Sequence, residues 1–259
     1  VACAGDLLGA LLGHDPGLDA LKQLLIEQTE GNPFFLEESV RTLVETKVLT
    51  GERGAYGLPP SPHGLERARQ IPASAHALLA ARIDRLSAED KRLLQAASVI
   101  GTDVPFVLLQ SIHAEDESEL RLGRARLQAA EFLYETRLFP ELEYPFKHAL
   151  THEVASGSLV HERRRALHAA IAGAIEQLHG GRLDEHVERL AHHTLGGELW
   201  EKAIRYARGA GERATARSAS LEAVRWLEQA IAALGHAPKS RASTELAIDL
   251  ELDRQAVTV

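Results

Sequence analysis

KAIRYARGAGERATARSASLEAVRWLEQAIAALG, residues 202–235, is the stretch on which the fold turns. Ala203, Tyr206 and Ala210 stand at small-x-x-aromatic-x-x-x-small spacing, and Ala223, Trp226 and Ala230 repeat it. Three-and-four spacing puts each trio on one face of a helix. The small residues let two such helices approach closely. The stretch therefore predicts paired helices, Trp200–Arg217 and Leu221–Leu234, held together by those six residues.

A helix pair of about 34 residues resembles one tetratricopeptide unit. One unit is too little for a stable solenoid, and the pattern that starts near Thr244 reads as another, truncated by the chain end. Everything from Thr151 onward carries helical periodicity. Upstream the period changes: Phe132-Leu133-Tyr134 and Leu142-Glu143-Tyr144-Pro145-Phe146 read as two short strands around a turn holding Pro140. Pro145 belongs on an edge, because it cannot donate to a ladder. Before the strands, Ser87 with Asp90 resembles a capping box opening a helix through Leu93, Leu94, Ala97 and Ile100 to Gly101. Pro105–Ile112 reads as a short helix, and Asp116–Ala130 as a third through Leu120, Leu122 and Leu127. Three helices followed by a β-hairpin is the element order of a winged helix.

Ile71-Pro72 precedes a further helix with Leu78, Leu79, Ile83 and Leu86 on its apolar face. Earlier still, Gly51 to Gly64 holds Gly54, Gly57, Pro59, Pro60 and Pro62 and reads only as turns and linker. A subdomain boundary is expected there. Before it, a helix carrying Leu18, Leu21, Leu24 and Leu25 is stopped by Gly31. Asn32 caps the next, with Pro33 at its first position and Leu36, Val40, Leu43 and Val44 along one face. The chain is expected to be mainly α, in three parts: 1–64 helical, 65–150 winged helix with a short β-hairpin, and 151–259 an α-solenoid of tetratricopeptide-like helices.

Composition narrows the function classes. With 45% hydrophobic and 25% charged residues, the chain can bury a core. Its net charge of −8 argues against a broad footprint for nucleic acid or anionic lipid. One cysteine, Cys3, permits no internal disulfide and suits a reducing cytoplasm. No apolar run is long enough for a membrane span, and no signal-peptide pattern opens the chain. The 259 residues contain no Met, which predicts a segment of a longer protein.

Motifs for autonomous catalysis are missing. There is no G-x-x-x-x-G-K-[ST] loop to cradle phosphates and no G-x-S-x-G elbow. His152-Glu153 and His161-Glu162 lack the second histidine of a zincin. His192-His193 are adjacent on a helix and are expected to point apart, as surface or packing residues. No metal site and no catalytic residue is expected. Arg163-Arg164-Arg165 spreads its charge around a helix and reads as a solvated surface.

Two places admit a second reading. Gly31-Asn32-Pro33-Phe34-Phe35 reads first as a helix stop and restart with two buried aromatics. A proline ring fixed at a helix N-terminus can also pack on a flat purine, with free N–H groups beside it for acceptor atoms. His148 follows Leu142, Tyr144 and Phe146 on one strand face. It reads either as a core histidine with one hydrogen bond or as an imidazole N–H offered to a phosphate.

These segments also carry a resemblance. Glu30-Gly31-Asn32-Pro33-Phe34-Phe35-Leu36-Glu37-Glu38, then Ile71-Pro72 through Ala80-Ala81-Arg82-Ile83-Asp84-Arg85-Leu86, then Tyr144-Pro145-Phe146-Lys147-His148-Ala149-Leu150-Thr151-His152-Glu153-Val154 resemble the bacterial signal-transduction ATPases with numerous domains (STAND ATPases). The closest likeness is to those joined to an N-terminal class III adenylate/guanylate cyclase domain and followed by tetratricopeptide repeats. The resemblance implies a P-loop core, a helical lid, a winged helix and repeats, with this chain beginning at the lid. It implies that Gly31-Asn32-Pro33 meets the adenine of ATP or ADP and that His148 approaches the β-phosphate. The family pattern often has an aspartate after that histidine, where this chain has Ala149. Magnesium and hydrolysis would belong to the intact parent, and no nucleotide is expected to bind tightly to this segment alone.

The implied partners are the P-loop core and cyclase domain upstream and a protein or peptide on the repeats, with no membrane and no nucleic acid. Two alternatives stay open: a STAND-type transcription regulator that binds DNA, and a non-catalytic interaction scaffold. In the DNA reading, Arg121, Arg124 and Arg126 of the third helix would supply the basic face, offset by Asp116, Glu117 and Glu119.

Overall fold

In a computed structural model, residues 2–59, 64–113, 117–137 and 142–258 are described. Packing divides the chain into two units, 1–91 and 92–259. The first holds α1 (Ala2–Leu12), α2 (Asp19–Thr29), α3 (Pro33–Glu45), β1 (Thr50–Glu52), β2 (Ala55–Gly57), α4 (Gly64–Arg69), α5 (Ala75–Asp84) and the start of α6 (Ala88–Ile100). Ser87 does cap α6, its hydroxyl accepting from the Asp90 N–H at 3.0 Å. Leu8, Leu12, Leu21, Leu25, Leu36 and Leu43 form one fully buried cluster, as their helical spacing requires. Ala68, Ile71 and Leu78 belong to the same cluster. The apolar faces of α4 and α5 thus find their partners among α1–α3, and the packing border falls inside α6.

The stretch expected to be linker is partly folded. Thr50–Glu52 pairs antiparallel with Ala55–Gly57, Gly51 opposite Tyr56. The hairpin tip sits on the end of α1, where the Gly54 N–H donates to the Leu11 carbonyl at 2.8 Å. Gly13 has φ +94°, and a Cβ there would stand 2.3 Å from the Gly54 carbonyl oxygen. Glycine is used here for backbone-on-backbone approach, which composition alone does not separate from flexibility. Pro60 and Pro62 lie outside the described residues.

A cluster of ion pairs crosses this core. Arg82 of α5 is only 2% exposed. Its guanidinium meets the Glu38 carboxylate of α3 and donates from Nε to both oxygens of Glu45, at 3.1 and 3.2 Å. Arg41 adds a 3.4 Å contact to Glu38.

The second unit continues with α7 (Phe106–Ile112), α8 (Glu117–Ala129), β3 (Thr136–Arg137), β4 (Leu142–Glu143), α9 (Ala149–Gly157), α10 (His161–Leu178), α11 (Val187–Gly196), α12 (Trp200–Ala216), α13 (Ser220–Leu234) and α14 (Arg241–Thr258). Leu120 and Leu127 are buried on α8, whereas Leu122 is turned out to solvent. The expected turn at Pro140 and the helix start at Asp116 lie outside the described residues.

The strand pairing differs from expectation at Pro145. Glu143 pairs with Thr136 on one side and bridges to Pro105 on the other. Tyr144 and Phe146 donate to the carbonyls of Val104 and Thr102, at 2.9 and 3.1 Å, while Tyr134 donates to Pro145 at 3.1 Å. The segment 142–147 is therefore the middle of three, and Pro145 is internal. Its missing N–H leaves one bond unmade toward 132–137, so that ladder is interrupted around it. Tyr144 is wholly buried, edge-on to Phe106 with ring centroids 6.0 Å apart.

From α10 to α14 each helix packs on the next, the arrangement of a helical repeat. The fold is mainly α with short hairpins, as the periodicity predicts. Among the described residues no helix is long and apolar enough to cross a membrane.

Replacing Arg82 by alanine strands the Glu38 charge in the core. Breaking a buried pair from one side costs roughly 3–5 kcal/mol, so Arg82→Ala should lower the urea midpoint sharply. Replacing Arg82, Glu38 and Glu45 together by methionine should restore much of the loss. A single variant as stable as the parent would refute the structural weight given to this pair.

Candidate functional site

The α2–α3 corner is built by backbone conformation. Glu30 and Gly31 both take left-handed φ, +53° and +74°. The Gly31 N–H reaches back to the Ile26 carbonyl at 3.2 Å, a helix-ending turn that favours glycine. Asn32 then caps α3, its side chain accepting from the Phe35 N–H at 3.2 Å, with Pro33 at the first position. Asn32 and Pro33 are exposed, Phe35 is buried and Phe34 partly so. The N–H groups of Gly31, Asn32 and Phe35 are all used within the chain. The corner thus offers the proline ring and the Asn32 amide rather than a nest of free donors.

His148 occupies the N-cap position of α9, with φ −140° and ψ 141°. Its carbonyl accepts from Thr151 and His152, at 3.0 and 3.4 Å, while its side chain makes no capping bond. The residue is half-buried and its Nε2 is shielded from solvent. His152, one turn on, meets Phe146 edge-on at 5.1 Å. Pro33 lies in the first unit and His148 in the second.

The repeat residues lie on α12 and α13, which pack on each other. Ala203, Ala210, Ala223 and Ala230 are wholly buried, and Tyr206 nearly so. Trp226 is half-exposed, and Leu227 takes the buried position beside it. The Tyr206 hydroxyl donates to Glu176 of α10 at 2.7 Å, and Lys202 donates to the same carboxylate at 2.6 Å. Burial acts to raise the Glu176 pKa, but these two hydrogen bonds outweigh it and hold the carboxyl below its ordinary value.

Sequence reading missed two groupings. Glu38 and Arg82 lie inside the quoted motifs, and each is a charge on an otherwise apolar stripe, which is the signal that could have paired them. The second grouping is His168, His192 and His193. His168 of α10 and His193 of α11 are 9% and 2% exposed, and their Nδ1 atoms lie 3.0 Å apart. The exposed His192 does not point away as expected: its ring centroid is 5.3 Å from that of His168 and 5.0 Å from that of His193. One donor nitrogen from each lies within 4.8 Å of the others. Burial, then the neighbouring His192 and Arg164, hold His168 down at about 4. Burial, then His192, His168 and Arg189, hold His193 at about 2. Burial also lowers His192.

No family model matches the chain. An uncharacterized protein of Rhizobium meliloti (strain 1021) is 29% identical over 171 residues, which cover 63% of this chain and 16% of the relative. The chain thus spans about a sixth of that relative's length.

The buried histidines set an acid limit. Unfolded, they bind protons near 6.5; folded, only near 4 and 2. Between those values the unfolded chain holds more protons, so stability is full above about pH 6.5 and falls as the pH drops below it. Chelator-treated protein should lose on the order of a few kcal/mol between pH 7 and pH 4.5. His193→Gln should flatten this dependence, read as melting temperature against pH; a parallel slope in the variant would contradict the assignment.

Proposed function

We propose that the chain is the regulatory, nucleotide-sensing part of a STAND-type signalling ATPase, linked to an adenylate/guanylate cyclase. In this reading 1–64 acts as the helical lid, 65–150 as the winged helix, and 151–259 as a repeat arm that docks a protein or peptide in the cytoplasm. The observation that carries the reading is the α2–α3 corner. An exposed proline ring stands at the first position of a helix whose opposite face is locked into the core. A rigid, flat apolar surface of this kind suits the face of an adenine, and the Asn32 amide beside it suits the purine edge.

Switching requires contacts that differ between the ATP and ADP states. Pro33 and His148 supply them in this reading: the first follows the base and the second the phosphates, each from the start of a helix. The chain has no P-loop, so hydrolysis and magnesium binding are assigned to an upstream core, and the segment has no activity alone. The quoted motifs, spread through the chain in family order, support the same reading.

The DNA-binding alternative has less support. Arg121 is engaged by Glu117 on α8, and Arg124 lies over the Tyr144 ring at 4.7 Å and donates to its hydroxyl. Arg124 is therefore not spare for phosphate, and the Arg121 charge is offset by its neighbour. The scaffold alternative differs in expecting no Walker motif upstream of Val1.

The test is made in the longest natural chain that contains this segment. Pro33→Ala should weaken binding of a fluorescent ADP about fivefold or more, roughly 1 kcal/mol. His148→Ala should change basal cyclase output at fixed ATP. If both variants keep parental ADP affinity and parental output, the switch assignment is wrong.

A further inference from the structure

The joint between α10 and α11 brings three imidazoles to one point. His192 and His193 are neighbours on α11, about 100° apart around it, and His168 arrives from α10 to complete a triangle of rings with centroids 5.0–5.3 Å apart. We propose that His168, His192 and His193 bind one divalent transition-metal ion of the zinc class, a site separate from any nucleotide chemistry.

Distance is the first argument. Zinc–imidazole bonds of about 2.0–2.1 Å in tetrahedral geometry set ligand nitrogens roughly 3.3 Å apart. The Nδ1 atoms of His168 and His193 are already 3.0 Å apart, so a few tenths of an ångström opens the pair around an ion. The third nitrogen lies within 4.8 Å of both, inside the reach of one side-chain rotation of the exposed His192. A packing pair alone explains His168 and His193, whose neutral rings can share one hydrogen bond. It does not explain why His192, with water available, turns its ring toward the same spot.

The surroundings are shaped for the ring. A Cβ on Gly196 would stand 2.8 Å from the Nδ1, Cγ and Cδ2 atoms of His168; the glycine leaves the imidazole its room at the end of α11. Burial keeps His168 and His193 uncharged, the form that ligates metal. An all-nitrogen donor set selects zinc, nickel, cobalt or copper over magnesium and calcium. The exposed side of His192 leaves a fourth position for water. Arg164 and Arg189 add positive charge nearby, although the Arg164 guanidinium is turned to the Ser156 carbonyl at 2.8 Å. That charge favours hydroxide or another anion as the fourth ligand.

The test uses the untagged 259-residue chain, stripped with chelator and titrated with Co2+ alone, then with Zn2+ in competition. The expected result is one ion per chain at micromolar metal, with the visible bands of tetrahedral cobalt. His192→Ala, on the surface, should leave the circular dichroism unchanged and weaken uptake at least ~10-fold. His168→Gln and His193→Gln should abolish the cobalt bands. Gly196→Ala, which removes no ligand, should also weaken uptake by crowding His168. Absence of the tetrahedral bands in folded parental protein would overturn the site. So would bands that survive in both His192→Ala and His193→Gln, since ten other histidines could then be the ligands.

Discussion

A guanidinium cannot be left bare in a hydrocarbon core, and the first unit is arranged around that constraint. Arg82 is nearly inaccessible, so its five donors must be met by protein. Glu38 and Glu45 meet them from one face of α3, about two turns apart, and this fixes how α5 lies across α3. Leucine contacts alone would tolerate sliding by a fraction of a turn; a forked guanidinium between two carboxylates does not. The α2–α3 corner inherits this precision, because Pro33 and Glu38 belong to the same helix. Orientation of the exposed proline is thus set five residues away, by a charge pair with no water around it.

The second unit solves a different problem by different means. Its helices carry alanine at their buried positions: Ala203, Ala207, Ala210 and Ala214 on α12, Ala223 and Ala230 on α13, all without exposed surface. Small side chains bring helix axes close, and close approach gives extensive dispersion contact without long apolar residues. Gly211 continues the pattern, since a Cβ there would lie 3.0 Å from Leu227. At the partly exposed edge of the array, Glu176 gathers Lys202 and Tyr206 and so ties α10 to α12.

Much of this was legible in the sequence. Helix positions follow from leucine and alanine periodicity, and the Asn32 cap from the local chemistry of Asn-Pro after glycine. The hairpin at Thr50–Gly57 was not, because the same glycines serve a free linker and a backbone-on-backbone contact, and only the α1 terminus decides between them. Pro145 is a related case. Proline is excluded from a continuous inner strand, but an interrupted ladder of isolated bridges has room for a missing donor. Adjacent histidines on one helix reveal nothing of a third that arrives from 24 residues upstream. Pair chemistry of that sort, like Glu38 with Arg82, depends on helix packing and stays invisible to periodicity.

The middle strand position of 142–147 bears on the order of folding. Tyr144 bonds to Val104, 40 residues earlier, and the chain between must close before that bond exists. Helices α10 to α14, by contrast, touch mainly their sequence neighbours, and such local pairings form fastest. A second unit refolding from the full-length unfolded chain would therefore hold a formed helical array while Phe106 and Tyr144 still await each other. The aromatic pair is the slow closure, and the apolar surface it leaves open meanwhile is where a folding chain of this kind is most exposed to aggregation.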